Sequence, residues 1–174
     1  MNQDNTKEIK IMFYLDSDVY INTIKDEGNR TENTDIFLMN CCLEKKLFIT
    51  LIISETLISE VIGVANHQNL NIDNHLFNLL VEKGKIKYVK PNQADIELAK
   101  ELWPEHYKDM LHYIIAINEK VDYILTNNVP DFNNAKYLYH LKFLQINQIP
   151  IKLPREGTKI LKELKKGEIK NESN

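Results

Sequence analysis

The stretch Ile11-Met12-Phe13-Tyr14-Leu15-Asp16-Ser17-Asp18 decides the reading of this chain. An apolar run of this kind fits a buried strand of a parallel sheet. An acid placed directly after it stands at the carboxyl edge of that sheet, where open α/β folds build their sites. Asp16 is therefore a candidate ligand. The alternative is that Asp16 or Ser17 only caps the helix that follows.

Outward from this stretch, apolar runs alternate with helical patterns, the signature of βαβ units. The spacing predicts strands over 10–15, 47–53, 86–89, 122–126 and 149–152. Helices are expected from Ser17 to Asp26 and from Thr34 to Lys46, broken at Gly28-Asn29. Another follows the natural N-cap Ser54, with Leu57, Ile58, Val61, Ile62 and Ala65 at helical spacing, and a further one runs from a cap at Asp73 through Leu76, Leu79 and Leu80 to Gly84. Residues 93–102 and 107–119 read as two helices separated at Trp103-Pro104, because proline disfavours helix in the residue before it. The last, 133–145, carries Tyr137, Leu138, Leu141 and Leu144 on one face. The expected fold is α/β, a three-layer α/β/α sandwich around a central parallel sheet of about five strands, with the first strand central and the fourth beside it. Residues 9–153 make this domain, and 154–174 reads as a charged C-terminal tail, partly helical or disordered, with Lys159, Lys162, Lys165, Lys166 and Lys170.

A length of 174 residues suits one compact domain and is too short for two ordinary ones. No apolar run approaches the roughly 20 residues of a membrane span, and the polar start MNQDNTKEIK is no secretory signal, so a cytoplasmic protein without a membrane segment is expected. Cys41 and Cys42 are adjacent, which suits neither a disulfide framework nor a metal-binding CxxC pair. With a net charge of −3, a polyanionic partner must be met by a local patch or through bound cations.

Four acids stand where successive βα turns emerge on one edge of the sheet: Asp16, Glu60 in the helix after the second strand, Asp109 in the first turn of DMLHYIIAI, and Asp131 in TNNVPDF. Each has a structural alternative. Asp109 complements a helix dipole, Asp131 caps a helix, and Glu60 is solvated. Jointly those alternatives require four coincidences at equivalent places. Clustered carboxylates cannot all stay ionised without a counter-cation, and oxygen donors suit Mg²⁺ or Mn²⁺, the ions of phosphodiester chemistry. The histidines have no ligand-like spacing for zinc; His112, on the helical face of Asp109, reads as a buried supporting residue.

These blocks resemble the PIN domain, a small metal-dependent ribonuclease fold, over about residues 9–153. Tyr14-Leu15-Asp16-Ser17-Asp18-Val19 is similar to its opening strand-and-Asp motif, and Ser54-Glu55-Thr56-Leu57-Ile58-Ser59-Glu60-Val61 to its glutamate helix. The run Asp109-Met110-Leu111-His112-Tyr113-Ile114-Ile115-Ala116-Ile117 is the most specific block, and Tyr123 to Phe132 matches the last. The resemblance implies Asp16, Glu60, Asp109 and Asp131 as catalytic and metal-binding acids, with Ser17, Thr126, Asn128 and His112 in support. Asn128 stands where many relatives carry aspartate, and Asp131 partly covers for it. It further implies hydrolysis of single-stranded or structured RNA with Mg²⁺ or Mn²⁺, and, for VapC-type toxins, a small antitoxin partner; a homodimer is a further expectation.

Two rival readings remain open. Asp16-Ser17-Asp18 also fits the Asp-x-Asp of haloacid-dehalogenase-like phosphatases, although the fourth strand ends in Thr126-Asn127-Asn128 rather than in an acidic pair. A degenerate PIN scaffold would serve as a protein-binding module. For RNA contact, Lys45, Lys46 and Lys108 are the lysines expected to flank the cleft.

Overall fold

The computed structural model describes residues 9–25, 28–72, 75–143 and 148–167. Asp26, Asp73, Leu144 and Lys170, to which the sequence assigns a helix end, a cap, a packing position and a tail charge, lie outside the described residues.

The chain runs β1 (Ile9–Leu15), α1 (Ser17–Lys25), α2 (Asn29–Leu43), β2 (Leu47–Ser54), α3 (Glu55–Gln68), α4 (His75–Glu82), β3 (Ile86–Val89), α5 (Gln93–Leu102), a 3₁₀ turn (Pro104–His106), α6 (Tyr107–Asn118), β4 (Tyr123–Leu125), α7 (Val129–Phe143), β5 (Ile151–Lys152) and α8 (Pro154–Lys166). The five strands pair in parallel in the order β3-β2-β1-β4-β5, so β1 is central and β4 lies beside it, as the sequence predicts. Alternation along β1 feeds two cores. Ile11, Phe13 and Leu15 pack with residues of α2, α3, α4 and α8, while Tyr14 points to the other face with residues of α5, α6 and α7. Burial on both faces is why the strand reads as an unbroken apolar run.

Among the differences from the sequence expectation, three bear on the site or the core. Helix α2 begins at Asn29, right after the positive-φ residue Gly28, rather than at Thr34. Helix α7 begins at Val129, which places Asp131 in its first turn and not in a loop. Pro130 is tolerated there because the first-turn N–H groups have no intrahelical acceptor. The third difference is the segment read as a charged tail. Its residues Pro154–Lys166 form α8, whose Ile160, Leu161 and Leu164 are buried in the core beside α2 while the lysines face outward.

Gly157 makes that docking possible. A Cβ there would lie 2.9 Å from two ring carbons of the buried Phe37 and 3.0 Å from Leu125 Cδ1. Gly157→Ala is therefore expected to destabilise the protein by about 1–2 kcal/mol, overpacking outweighing the gain of about 1 kcal/mol in helix propensity. The check is a lower urea midpoint at unchanged slope. An unchanged midpoint would mean that α8 does not contribute to the core.

Candidate active site

Parallel pairing of Tyr14 with Ile52 and of Leu15 with Leu125 brings the ends of β1, β2 and β4 to one edge. Asp16 follows β1 there and is 4% exposed. Its backbone N–H donates to Leu125 O at 3.0 Å, which fixes it against β4. Its Oδ1 accepts from the Ser17 N–H at 2.7 Å and its Oδ2 from Thr126 Oγ1 at 2.8 Å. The carboxylate thus touches the first turn of α1 and also faces across to β4, more than a helix cap needs.

Glu60, on α3, is tied to a buried polar chain. Its Oε2 lies 3.0 Å from His112 Nε2, and the same nitrogen is 4.0 Å from Asp16 Oδ1. On the other side of the ring, His112 Nδ1 lies 2.6 Å from Tyr14 Oη, which donates to Ser54 Oγ at 2.9 Å. Ser54 Oγ also accepts the Leu57 N–H that caps α3. Bonded at both ring nitrogens, His112 is held in one orientation, with any positive charge on its ring facing Glu60 and Asp16. Burial opposes that charge, but the hydrogen bond to Glu60 and the charges of Asp16, Glu60 and Asp109 outweigh it and raise the His112 pKa. Glu60 shifts the other way. Burial pushes it up, yet the bond and charge of His112, with Lys108 at 3.5 Å from Oε1, bring it down to about 2.

Asp109 and Asp131 form a second group, joined by a residue that sequence reasoning missed. His106, Asp109 and Asp131 each offer a ligand atom within 4.8 Å of the others. The His106 ring stacks on Trp103 with centroids 4.5 Å apart, and its Nδ1 lies 3.4 Å from Asp109 Oδ2. The signal present in sequence was the spacing His106-x-x-Asp109, one turn apart across the start of α6. Burial and the charge of Asp16, with a smaller contribution from Asp131, raise the Asp109 pKa, so these acids share one field.

Asn128 connects the two groups. Its backbone N–H donates to Thr126 Oγ1 at 2.8 Å and its side-chain Nδ2 to Asp131 Oδ2 at 2.6 Å. An aspartate there would exchange this donor for a second negative charge. Asn128→Asp is expected to lower metal-free stability by about 1–3 kcal/mol, the cost of losing a donor to a charged acceptor, and to restore that loss on addition of Mn²⁺. Thermal melts with and without the ion test it; equal loss in both would show that the added acid plays no part in ion binding.

Asp16, Ser17, Asp18, Glu60, Lys108, Asp109 and Asn128 line one open cleft of about 440 Å³. Asp18 is half-buried, and both its oxygens accept the Asn127 N–H, at 2.9 and 3.2 Å. Burial, reinforced by the charge of Asp16, pushes its pKa up to about 8. Lys108 stands at the cleft. Lys45 and Lys46 do not, because they precede β2, and in a parallel sheet the strand starts lie at the opposite edge from Asp16. Eight strand residues at about 3.3 Å each separate the two edges.

No family model matches the sequence, and no curated protein matches it. Among solved structures, the chain is similar to VapC20 of Mycobacterium tuberculosis, described as a sarcin–ricin-loop-cleaving toxin, at 9% identity and a TM-score of 0.50, covering 71% of this chain and 94% of that one. Among the described residues no helix is long and apolar enough to cross a membrane. The five-stranded parallel sheet flanked by helices is that of the PIN fold.

Proposed function

We propose that this chain is a metal-dependent endoribonuclease that hydrolyses phosphodiester bonds of RNA and acts as the toxin of a toxin–antitoxin pair. The observation that carries this reading is the convergence of His106, Asp109 and Asp131 within ligating reach of one another, in the field of the buried Asp16. The donor set fits a divalent ion. Asp16, Asp109 and Asp131 would hold Mg²⁺ or Mn²⁺, with His106 as a nitrogen donor that favours Mn²⁺. When bound, the ion supplies a nucleophilic water at neutral pH and charge neutralisation at phosphorus.

The residues of the chain do the rest. Thr126 and the Ser17 N–H hold the Asp16 carboxylate in one orientation. His112 fixes Glu60 toward the cleft, and Tyr14 and Ser54 fix His112. Lys108, at the rim, offers its ammonium to a phosphate oxygen. VapC20 is described as a sarcin–ricin-loop-cleaving toxin; in this reading the substrate here is RNA, single-stranded or structured, and the protein is cytoplasmic. An antitoxin that blocks the acidic cleft, and pairing of two copies, belong to the same reading.

Incubating the protein with a mixed RNA pool, with Mn²⁺ or Mg²⁺ and with chelator, and sequencing the new ends tests it. Discrete ends that appear only with the ion are expected. Intact RNA together with hydrolysis of a small chromogenic phosphate ester would support the phosphatase reading instead.

A further inference from the structure

The only two arginines of the chain, Arg30 and Arg155, line one pocket of about 250 Å³ with Asn29, Asn33 and Asn127. We infer that this pocket binds a backbone phosphate of the RNA adjacent to the one in the acidic cleft, an inference that rests on the ribonuclease reading above. Arginine presents a planar fork of donors matched to two phosphate oxygens, and asparagine adds neutral donors.

The backbone around the pocket carries the same polarity. Asn29, Arg30 and Asn33 belong to the start of α2, a helix of 15 residues, and Pro154 and Arg155 to the start of α8, one of 13. Both positive helix ends therefore meet at the pocket. Gly28, at the N-cap of α2, gives no side-chain cap to that end. The acids of these two first turns are Glu32 and Glu156. Glu32 lines a different groove, and the Glu156 carboxylate accepts the Leu153 N–H at 2.9 Å and pairs with Lys152.

Asn127 links this pocket to the cleft. Asn127 lines the pocket, and its side-chain Nδ2 has no hydrogen-bond partner among the described residues. Its backbone N–H holds Asp18, and the next residue, Asn128, lines the cleft. Two sites that share a two-residue wall suit neighbouring phosphates of one strand. This continuity favours RNA over an acidic peptide, whose carboxylates would also suit the arginines but not the cleft.

The test measures binding of a labelled single-stranded RNA by fluorescence anisotropy, in chelator to prevent cleavage, across a salt series. Arg30→Gln and Arg155→Gln are each expected to weaken binding about tenfold and to lower the slope of log K against log salt by about 0.7. Both residues are exposed, Arg30 also faces the Asp18 charge, and an unchanged circular dichroism spectrum with a cooperative melt verifies the fold. In cleavage, KM rises while kcat changes less than about threefold, the mark of lost uniform binding. Arg155→Lys restores the slope and part of the affinity, because lysine keeps the charge without the fork. A double variant that binds RNA with wild-type affinity and slope, from a protein that still cleaves, would overturn the pocket alone. A wild-type protein that neither binds nor cleaves RNA would overturn the pocket together with the ribonuclease reading.

Discussion

Asp16→Asn is expected to reduce RNA cleavage by about 10³-fold while leaving the protein folded and no less stable. The size follows from losing one anionic ligand, worth several kcal/mol of transition-state stabilisation, at about 1.4 kcal/mol per factor of ten. The unchanged stability follows from the surroundings. Asp16 lies in the same field as Asp18, Asp109 and Glu60, so removing its charge relieves repulsion in the metal-free protein. The amide oxygen can still accept from Thr126 or Ser17. Cleavage at the wild-type rate, or an unfolded variant, would make Asp16 a structural cap.

The second large effect is on the pH dependence of metal-free stability. Glu60 has its pKa depressed to about 2, so its contribution is present above about pH 4.5 and is lost as pH falls toward 2. His112 has its pKa raised, so its contribution is present below its unfolded value near 6.5 and is lost as pH rises through the folded one. Asp18, pushed up to about 8, adds a cost that begins above its unfolded value of 3.8 and is complete only above about 8. Together the three signs place maximum stability near pH 4. Stability therefore falls between pH 5 and 8, read as a lower Tm at the higher pH. Mn²⁺ should cancel the fall at pH 8 by neutralising the same field. A Tm that is flat or rising over this range without the ion would show that these acids are not coupled in the way their geometry implies.

Much of this is legible in the sequence itself. The run that ends at Asp16 located the central strand and the functional edge, because a strand buried on both faces leaves no alternation to misread. Strand order followed from requiring Asp16 and Asp131 to meet. Where reading failed, the cause was physical. In α8 the buried residues Ile160, Leu161 and Leu164 are outnumbered by lysines, so composition masked a helical stripe. His106 sits in a 3₁₀ turn, so its i,i+3 spacing from Asp109 is the one local sign that the two meet. Lys45 and Lys46 precede β2, and only the direction of that strand, which local sequence does not show, sets them at the opposite edge from Asp16. Arg30 and Arg155 meet only because α2 and α8 pack side by side, a long-range fact with no local sign.

Crystals soaked in Mn²⁺ and recorded at the manganese edge address the metal centre directly. An anomalous peak is expected within about 2.5 Å of carboxylate oxygens of Asp109 and Asp131, beside His106 and Asp16, and absent after Asp109→Asn. Saturating Mn²⁺ that leaves these carboxylates without a peak, or a peak that survives Asp109→Asn, would contradict a metal-dependent nuclease built on this edge of the sheet.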